Sequence, residues 1–323
     1  MKYCLFIFLF VLLGGCQETT MKSPVSKVEL EAPTSITATS LVILGTIQDA
    51  GSPHIACKKD CCATLFENPD ANRKVVSLGV IDPEHHQSFL FEATPDITTQ
   101  VKALKQFSSS EKELPDGIFV THAHIGHYTG LMNLGKEATN AQKLPVYAMP
   151  KMKAFLETNG PWSQLVANEN ISIQAIQNEQ EVVLSANLKV VPLQVPHRDE
   201  FSETVGYKII GPMKTALFIP DIDKWEKWEL DISEVIAEVD YAFLDATFYD
   251  GEEINTRDIS EIPHPFIIES MEKFQALTDS EKKKIYFIHF NHTNPVINSN
   301  SKAHQTVIEN GFNIATLHTV FPL

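Results

Sequence analysis

The sequence predicts a mixed α/β fold in which candidate ligands lie at the ends of strands. Short apolar runs typical of buried strands alternate along the chain with segments that have helical apolar spacing. Several of these runs are followed at once by histidine or aspartate. Hydrophobic residues make up 43% of the 323 residues, which is enough for a sizeable core. Ligands from the ends of several strands converge when those strands share one edge of a sheet.

The first 38 residues carry the features of a targeting segment followed by a tether. Met1-Lys2 is followed by apolar residues 5–13 and then by Gly14-Gly15-Cys16. A basic start, a short apolar core and small residues before a cleavage site are typical of a secretory signal. Residues 13–16 also resemble a bacterial lipobox, in which the cysteine becomes the lipidated first residue. The alternative is an ordinary signal peptide that contains a cysteine.

These features divide the chain into three predicted parts. We expect a lipoprotein signal peptide over residues 1–15, a flexible tether over residues 16–38 after lipidated Cys16, and one domain over residues 39–323. The protein would then be an exported bacterial lipoprotein of the cell envelope, attached to a membrane through its lipid anchor.

The charge balance argues against a nucleic-acid partner. The chain has 26 basic and 41 acidic residues, which gives a formal net charge of −15. A polyanion binds to a basic face, so we expect no nucleic acid. The expected partner is a small-molecule substrate, and the composition does not indicate an oligomeric state.

The other strands and helices follow from apolar runs and their spacing. The predicted strands are residues 41–45, 75–80, 88–91, 117–120, 145–148, 171–176, 188–195, 205–210, 215–219, 241–244, 285–290 and 314–317. The predicted helices are residues 98–107, 151–157, 267–277 and 301–310. Strands 205–210 and 215–219 flank Gly211-Pro212, which predicts a hairpin.

A group of three cysteines follows the first strand of the domain. Cys57, Cys61 and Cys62 could ligate a structural zinc ion, with His54 or Asp60 as a fourth ligand. They could instead form a disulfide, which an exported protein permits, or remain free thiols. The spacing leaves these alternatives open.

The strongest chemical signal is the histidine-rich run after strand 117–120. His122 and His124 are two residues apart, so on an extended backbone they point the same way and can hold one metal ion. His127 follows beyond Gly126, where the chain can turn towards the same place. Other histidines and aspartates also stand at or just after strand ends: His197, Asp221, His289 and His292.

This run resembles the His-x-His-x-Asp-His signature of the metallo-β-lactamase fold. The resemblance implies an αββα sandwich with the metal site at one edge of the two sheets. It also implies that His122, His124 and His197 bind a first metal, that His127 and His289 bind a second, and that Asp221 bridges the two. Imidazole and carboxylate ligands suit one or two Zn²⁺ ions, with Fe or Mn as alternatives.

Gly126 departs from the signature, because the family has an aspartate there that ligates the second metal. Glycine lacks a carboxylate, so we expect the second metal to bind more weakly unless water or His292 completes its shell. A backbone that needs positive φ is a further reason for glycine at this position. The resemblance favours His289 over His292 as the last ligand, because His289 ends its strand.

A second motif, Asp245-Ala246-Thr247-Phe248, is followed later by His264. It resembles a segment of the tRNA 3′-processing ribonuclease Z family, in which the acid partners a downstream histidine near the scissile group. The resemblance implies that Asp245 orients His264 and that His264 donates a proton to the leaving group. The alternative is that Asp245 supports a metal-bound histidine and His264 lies in a loop.

Over residues 41–320 the chain resembles the pyrroloquinoline quinone biosynthesis protein B family. The similar segments are residues 91–96, 127–131, 145–150, 244–250 and 291–295, and the three cysteines resemble that family's structural-metal segment. A metal-dependent hydrolase that uses metal-activated water on an ester, phosphodiester or lactone is the favoured function. The alternatives are an oxygen-using metal enzyme that acts on a quinone precursor and a non-catalytic binding or carrier protein.

Overall fold

The computed structural model describes residues 36–254 and 258–323. Cys16, the predicted signal peptide and residues 16–35 of the predicted tether lie outside the described residues. No helix in the described part of the chain is long and apolar enough to cross a membrane.

Strands and helices alternate along the described chain; each predicted strand and helix has a counterpart, and two further strands and five further helices were not predicted. The strands are β1 (Ser40–Gly45), β2 (Ser77–Asp82), β3 (Gln87–Phe91), β4 (Gly117–Phe119), β5 (Leu144–Ala148), β6 (Ile171–Ala175), β7 (Val182–Val183), β8 (Lys189–Gln194), β9 (Val205–Ile210), β10 (Thr215–Ile219), β11 (Tyr241–Asp245), β12 (Ile285–Ile288), β13 (Asn313–Ile314) and β14 (Val320–Pro322). The helices are α1 (Asp60–Glu67), α2 (Ile97–Phe107), α3 (Ile125–Tyr128), α4 (Pro150–Thr158), α5 (Trp162–Ala167), α6 (Ile232–Ala237), α7 (Ile267–Lys273), α8 (Asp279–Lys282) and α9 (Lys302–Glu309).

The strands form two seven-stranded sheets. The first sheet has the order β14-β1-β2-β3-β4-β5-β6, and the second has the order β13-β12-β11-β10-β9-β8-β7. Strands β3 to β6 run parallel in the first sheet, and β10 to β13 run parallel in the second. The carboxyl ends of the parallel strands therefore meet at one edge of each sheet, where loops can gather ligands.

Alternating side chains of β1 show how the layers pack. Leu41 and Ile43 belong to a core cluster that also contains Tyr207 and Phe218 of the second sheet, so they lie between the two sheets. Val42 and Leu44 point to the opposite face, where they belong to the cluster that contains residues of α2 and α4.

The outer face of the second sheet is covered in the same way, by α6, α7 and α9. The structure is therefore a helix–sheet–sheet–helix sandwich, which confirms the predicted fold class.

Candidate metal centre

The histidine-rich run lies where β4 ends and a short helix begins. His122 follows three residues after Phe119, and His124 keeps an extended backbone as the residue before α3. His127 lies within α3, and its backbone N–H donates to the carbonyl of His124 over 2.9 Å. The turn of this helix therefore brings His127 back towards the two preceding imidazoles.

A first ligand set consists of His122, His124, His197 and Asp221, whose ligand atoms all lie within 4.8 Å of one another. His122 Nε2 is 2.8 Å from His124 Nδ1. His197 comes from the end of β8, and its Nε2 lies 3.2 Å from Asp221 Oδ1. These residues come together as the sequence predicts.

A second ligand set consists of Asp49, His127 and His289, whose ligand atoms also lie within 4.8 Å of one another. His289 follows β12, and its ring centroid is 5.4 Å from that of His127. The sequence interpretation assigned no ligand role to Asp49, which stands shortly after β1. Its signal is the same as for the other ligands, a polar residue just beyond a buried strand.

Asp221 lies between the two ligand sets, after β10. Its Oδ2 is 3.4 Å from His122 Nε2 and 3.8 Å from His127 Nε2. Its Oδ1 is 3.2 Å from His264 Nδ1. The Asp221 carboxylate therefore lies within reach of a metal ion held by either ligand set. This is the bridging position expected from the resemblance.

Asp245 at the end of β11 contacts two histidines, so both interpretations of this residue have a geometric basis. Its Oδ2 lies 2.8 Å from His264 Nδ1, and its Oδ1 lies 3.6 Å from His289 Nδ1. Thr247 donates to Asp245 Oδ1 from its backbone N–H and its hydroxyl, and the same hydroxyl is 2.9 Å from His289 Nδ1. Asp245 therefore orients His264 and also supports a histidine of the second ligand set.

Glu92 is a further site residue that the sequence interpretation missed. It follows β3, is fully buried, and places its Oε1 3.5 Å from His127 Nδ1. Its backbone φ is 78°, an uncommon value for a residue other than glycine, and His289 has a φ of 70°. Strained backbone of this kind is often found at functional sites.

Unpartnered buried atoms show that the site fits metal ions. Nε2 of His127, His197 and His289 and Oδ1 of Asp221 are buried and have no hydrogen-bond partner among the described residues. The carboxylates of Glu92, Asp221 and Asp245 are buried in the same place. Buried carboxylates and imidazole lone pairs without partners are costly unless a cation lies between them.

The carboxylates determine the protonation of the histidines. Burial alone would lower the pKa of His264, but Asp245 and then Asp221 raise it to about 10. Burial also opposes a charged His127, yet Glu92 and then Asp49 raise its pKa to about 9. By contrast, burial and the neighbouring His127 hold the pKa of His122 well below its ordinary value, so His122 is a neutral imidazole ready to ligate.

His292 lies away from this centre, which removes it as the last ligand of the second metal. Its Nδ1 is 3.3 Å from Cys62 Sγ and 3.5 Å from Cys61 Sγ. With Cys57 these residues form a cysteine–histidine cluster whose ligand atoms all lie within 4.8 Å of one another. The chain turns after His289, and this turn places His292 in the separate cysteine–histidine cluster.

The fourth member of the cysteine–histidine cluster is thus His292, and neither His54 nor Asp60 belongs to it. His54 instead packs its ring 4.7 Å from that of His292. The thiols of Cys57, Cys61 and Cys62 are free in the structure. Burial lowers the pKa of His292 to about 4, which keeps the imidazole neutral, and three cysteines with one histidine are a donor set typical of structural zinc.

The centre reaches solvent near His124 and His264, whose side chains are 15% and 11% exposed. A cavity of about 440 Å³ lies beside His197 and is lined by Leu193, Asp199 and Trp228 among others. The imidazole of His197 is itself fully buried, so the cavity adjoins this residue without exposing its ring.

An αββα sandwich with histidine and aspartate ligands at the sheet edges defines a protein of the metallo-β-lactamase fold. The sequence profile of the "Beta-lactamase superfamily domain" family matches residues 87–290, and the chain belongs to that family. Within it the protein is PqqB-like. It is 24% identical over 297 residues to "Coenzyme PQQ synthesis protein B" of Methylorubrum extorquens (strain PA1), covering 85% of this chain and 97% of that one.

Other relatives agree with this placement. "Coenzyme PQQ synthesis protein B" of Methylococcus capsulatus (strain ATCC 33009 / NCIMB 11132 / Bath) is 23% identical over 302 residues, covering 84% of this chain and 96% of that one. The crystal structure of Zn(2+)-bound PqqB from Methylobacterium extorquens superposes with a TM-score of 0.73 at 23% identity, covering 88% of this chain and 100% of that one. A diphosphatase from the PhnP family has a TM-score of 0.61 at 21% identity, covering 88% and 96%.

Proposed function

We propose that the protein is a metal-dependent hydrolase that attacks an ester, phosphodiester or lactone with metal-activated water. The observation that carries the proposal is the position of Asp221, which touches both ligand sets and also lies 3.2 Å from His264 Nδ1. Metal-assisted hydrolysis requires metal ligands, a carboxylate shared between the two metal positions and a histidine that holds a proton.

The first ligand set would hold one metal ion and the second ligand set would hold another, with Asp221 between them. Nitrogen and oxygen donors of this kind suit Zn²⁺, with Fe or Mn as alternatives. The similarity to a PqqB described as Zn(2+)-bound supports zinc. The cysteine–histidine cluster would hold a structural Zn²⁺.

When bound, the metal ions lower the pKa of a coordinated water and make it a nucleophile near neutral pH. The protein's own residues hold and donate the proton that the leaving group requires. Asp245 accepts a hydrogen bond from His264 Nδ1 over 2.8 Å, which orients the ring, and no described residue hydrogen-bonds its Nε2. The raised pKa of His264 keeps the ring protonated at neutral pH, so His264 can give a proton to a leaving group.

The surroundings favour a small substrate with an apolar part. Ile125 and Phe201 are 66% and 63% exposed, and each directly follows a residue that contacts the centre or its rim, His124 and Glu200. We therefore expect a small-molecule ester, phosphodiester or lactone rather than a polymer.

A substrate panel with a matched histidine control tests this function. Metal-loaded protein would be assayed with chromogenic phosphodiesters, carboxylic esters and lactones, before and after chelation. We expect turnover of at least one class, lost on chelation and in His122→Ala together with most of the metal of the first ligand set. His86→Asn should retain both, because Ser109, at 3.3 Å, is the one hydrogen-bond partner of the exposed His86 ring among the described residues, and asparagine tolerates its φ of 52°. Equal turnover and metal content in the two variants would refute the proposal.

A second candidate function is suggested by the relatives named "Coenzyme PQQ synthesis protein B". In this alternative the centre holds iron and the protein uses oxygen on a quinone precursor. Oxygen uptake by the Fe²⁺-loaded protein with quinone precursors, combined with no turnover in the hydrolysis panel, would support it. Tight metal binding with neither activity would instead support a binding or carrier protein.

A further inference from the structure

Glycine is required at position 126 because a side chain there would have no space, and not because the backbone needs a positive φ. Its φ is not among the positive values, which occur at Gly51 and Gly311 among the described glycines. A Cβ added at Gly126 would lie 2.1 Å from Asp49 Cβ, 2.3 Å from Asp49 Cα and 2.5 Å from the Asp49 carbonyl oxygen. The volume that a side chain at position 126 would fill is therefore occupied by Asp49.

The Asp49 carboxylate faces the second ligand set. One of its oxygens lies within 4.8 Å of a nitrogen of His127 and a nitrogen of His289. Across residues 36–254 and 258–323, no N–H or O–H group donates a hydrogen bond to this carboxylate, although the side chain is half-buried. Nε2 of both histidines is buried and likewise without a hydrogen-bond partner in the described chain. A cation could therefore bind the Asp49 carboxylate and the Nε2 atoms of both histidines without displacing a hydrogen bond of the described chain.

The loop that carries Asp49 is fixed to the segment that carries His289. The Gln48 N–H donates to the Phe290 carbonyl over 2.9 Å, and the Phe290 N–H donates to the Thr46 carbonyl over 2.8 Å. Ile47 also forms parallel bridges with Val75 and Phe290. The residues just before Asp49 are thus held by backbone contacts to Val75 on one side and to Phe290 on the other.

We propose that Asp49 supplies the carboxylate ligand of the second metal, in place of the aspartate that the family signature carries at the position of Gly126. The carboxylate is supplied by the loop after β1 instead of the histidine-rich run, and glycine at position 126 leaves space for it. This inference rests on the metal centre of the proposed function and not on the reaction. It replaces the expectation that the second metal binds weakly, since a carboxylate is present after all.

Metal content and affinity test the assignment. Wild type, Asp49→Asn and Glu67→Gln would be stripped, titrated with Zn²⁺ and analysed for metal per chain, with thermal melting as a check of folding. Asparagine keeps the shape of Asp49 and removes its charge. Glu67→Gln is the matched control, because it removes the negative charge of an exposed side chain that hydrogen-bonds to no described residue.

We expect Asp49→Asn to bind one metal ion fewer at limiting zinc, with an affinity at that position reduced at least about 10–100-fold, the cost typical of even an indirect partner. Glu67→Gln should keep the wild-type stoichiometry. Gly126→Ala should lose the same metal with Asp49 intact, because the added methyl group displaces Asp49. Unchanged stoichiometry and affinity in Asp49→Asn, or a wild type with no second metal in the centre, would overturn the inference. A wild type that binds the metals but hydrolyses nothing would instead overturn the proposed function alone.

Discussion

His264 lies between two carboxylates, and its contacts allow two roles that an experiment can separate. Its Nδ1 is 2.8 Å from Asp245 Oδ2 and 3.2 Å from Asp221 Oδ1. A proton donor matters most when the leaving group is poor, because a good leaving group departs without protonation. A histidine that only supports the centre would affect all substrates alike.

We therefore expect His264→Ala to lower kcat about 10²–10⁴-fold for a substrate with an alkoxide leaving group. The loss should be much smaller with a p-nitrophenolate leaving group, and the metal content should be unchanged. Steady-state kinetics with the two substrates and metal analysis of the variant check this. Equal losses for both substrates, accompanied by loss of metal, would show that His264 is a ligand.

The choice of a control histidine also depends on contacts that the sequence does not show. His85 stands outside the metal centre, but its Nδ1 lies 2.7 Å from the buried carboxylate of Asp82. Removing this ring would take one hydrogen-bond donor from a buried carboxylate and leave the Ser185 hydroxyl, 2.5 Å away, as its remaining side-chain donor, which is costly. His86 has no contact with a buried carboxylate among the described residues, so it is the better control.

Most of the proposed ligands were predictable because they lie within a few residues of the end of a strand. His122, His197 and Asp221 stand beyond β4, β8 and β10, and an apolar run followed by a polar side chain is visible in the sequence. Asp49 shares this pattern, but the family signature directs attention to position 126. The position of His292 could not be predicted, because its contact with Cys62 joins residues 230 positions apart in the chain.

At the scale of elements, two segments each carry ligands of two different sites. The segment after β1 carries Asp49 and then the three cysteines, and the segment after β12 carries His289 and then His292. Backbone hydrogen bonds join the segments at Gln48 and Phe290, and the cysteine–histidine cluster joins them a second time. A metal in that cluster should therefore hold Asp49 and His289 at a fixed separation.

We expect Cys61→Ser to remove the metal of the cysteine–histidine cluster and also to weaken metal binding at the second ligand set. The first ligand set, which uses neither segment, should be unaffected. Loss of a metal present at 100 times its Kd costs about 2.7 kcal/mol of stability, so the melting temperature should fall. Zinc titration and thermal melting measure both effects.

The control is Ala63→Ser, which places a hydroxyl on the exposed face of the same helix, α1. It should keep all metals. If Cys61→Ser lost only the metal of its own cluster, with the affinity of the second ligand set unchanged, the two sites would be independent.

The boundaries of elements were harder to predict than their order. Helix α1 was not predicted, because Cys61 and Cys62 in its first turn were interpreted as zinc or disulfide residues. The predicted helix over residues 267–277 ends as α7 at Lys273 and continues as a 3₁₀ turn over Phe274–Ala276. Helix ends depend on local hydrogen bonds that apolar spacing does not report.

At the scale of the whole molecule, the cellular compartment affects whether the three cysteines are oxidised. Burial and the neighbouring Cys62 raise the pKa of Cys61 to about 12, so without a cation this group remains a thiol. A thiol reacts far more slowly with oxidants than a thiolate does. In an oxidising envelope a bound metal would occupy the three sulfur atoms and keep them from forming disulfides.

Export and lipidation remain our proposal for the amino-terminal region. The proposal rests on Met1-Lys2, the apolar residues 5–13 and Gly14-Gly15-Cys16, in the order that a lipoprotein signal requires. We expect Cys16→Ser to abolish labelling by a radioactive fatty acid and either to release the domain from membranes or to stall its processing. Cys4→Ser is the matched control, because Cys4 lies in the part that cleavage would discard. Fractionation of cells and fatty-acid labelling check both variants. Unchanged membrane attachment and labelling in Cys16→Ser would show that the cysteine is not the anchor, whereas release without any loss of labelling would place the acyl chain elsewhere.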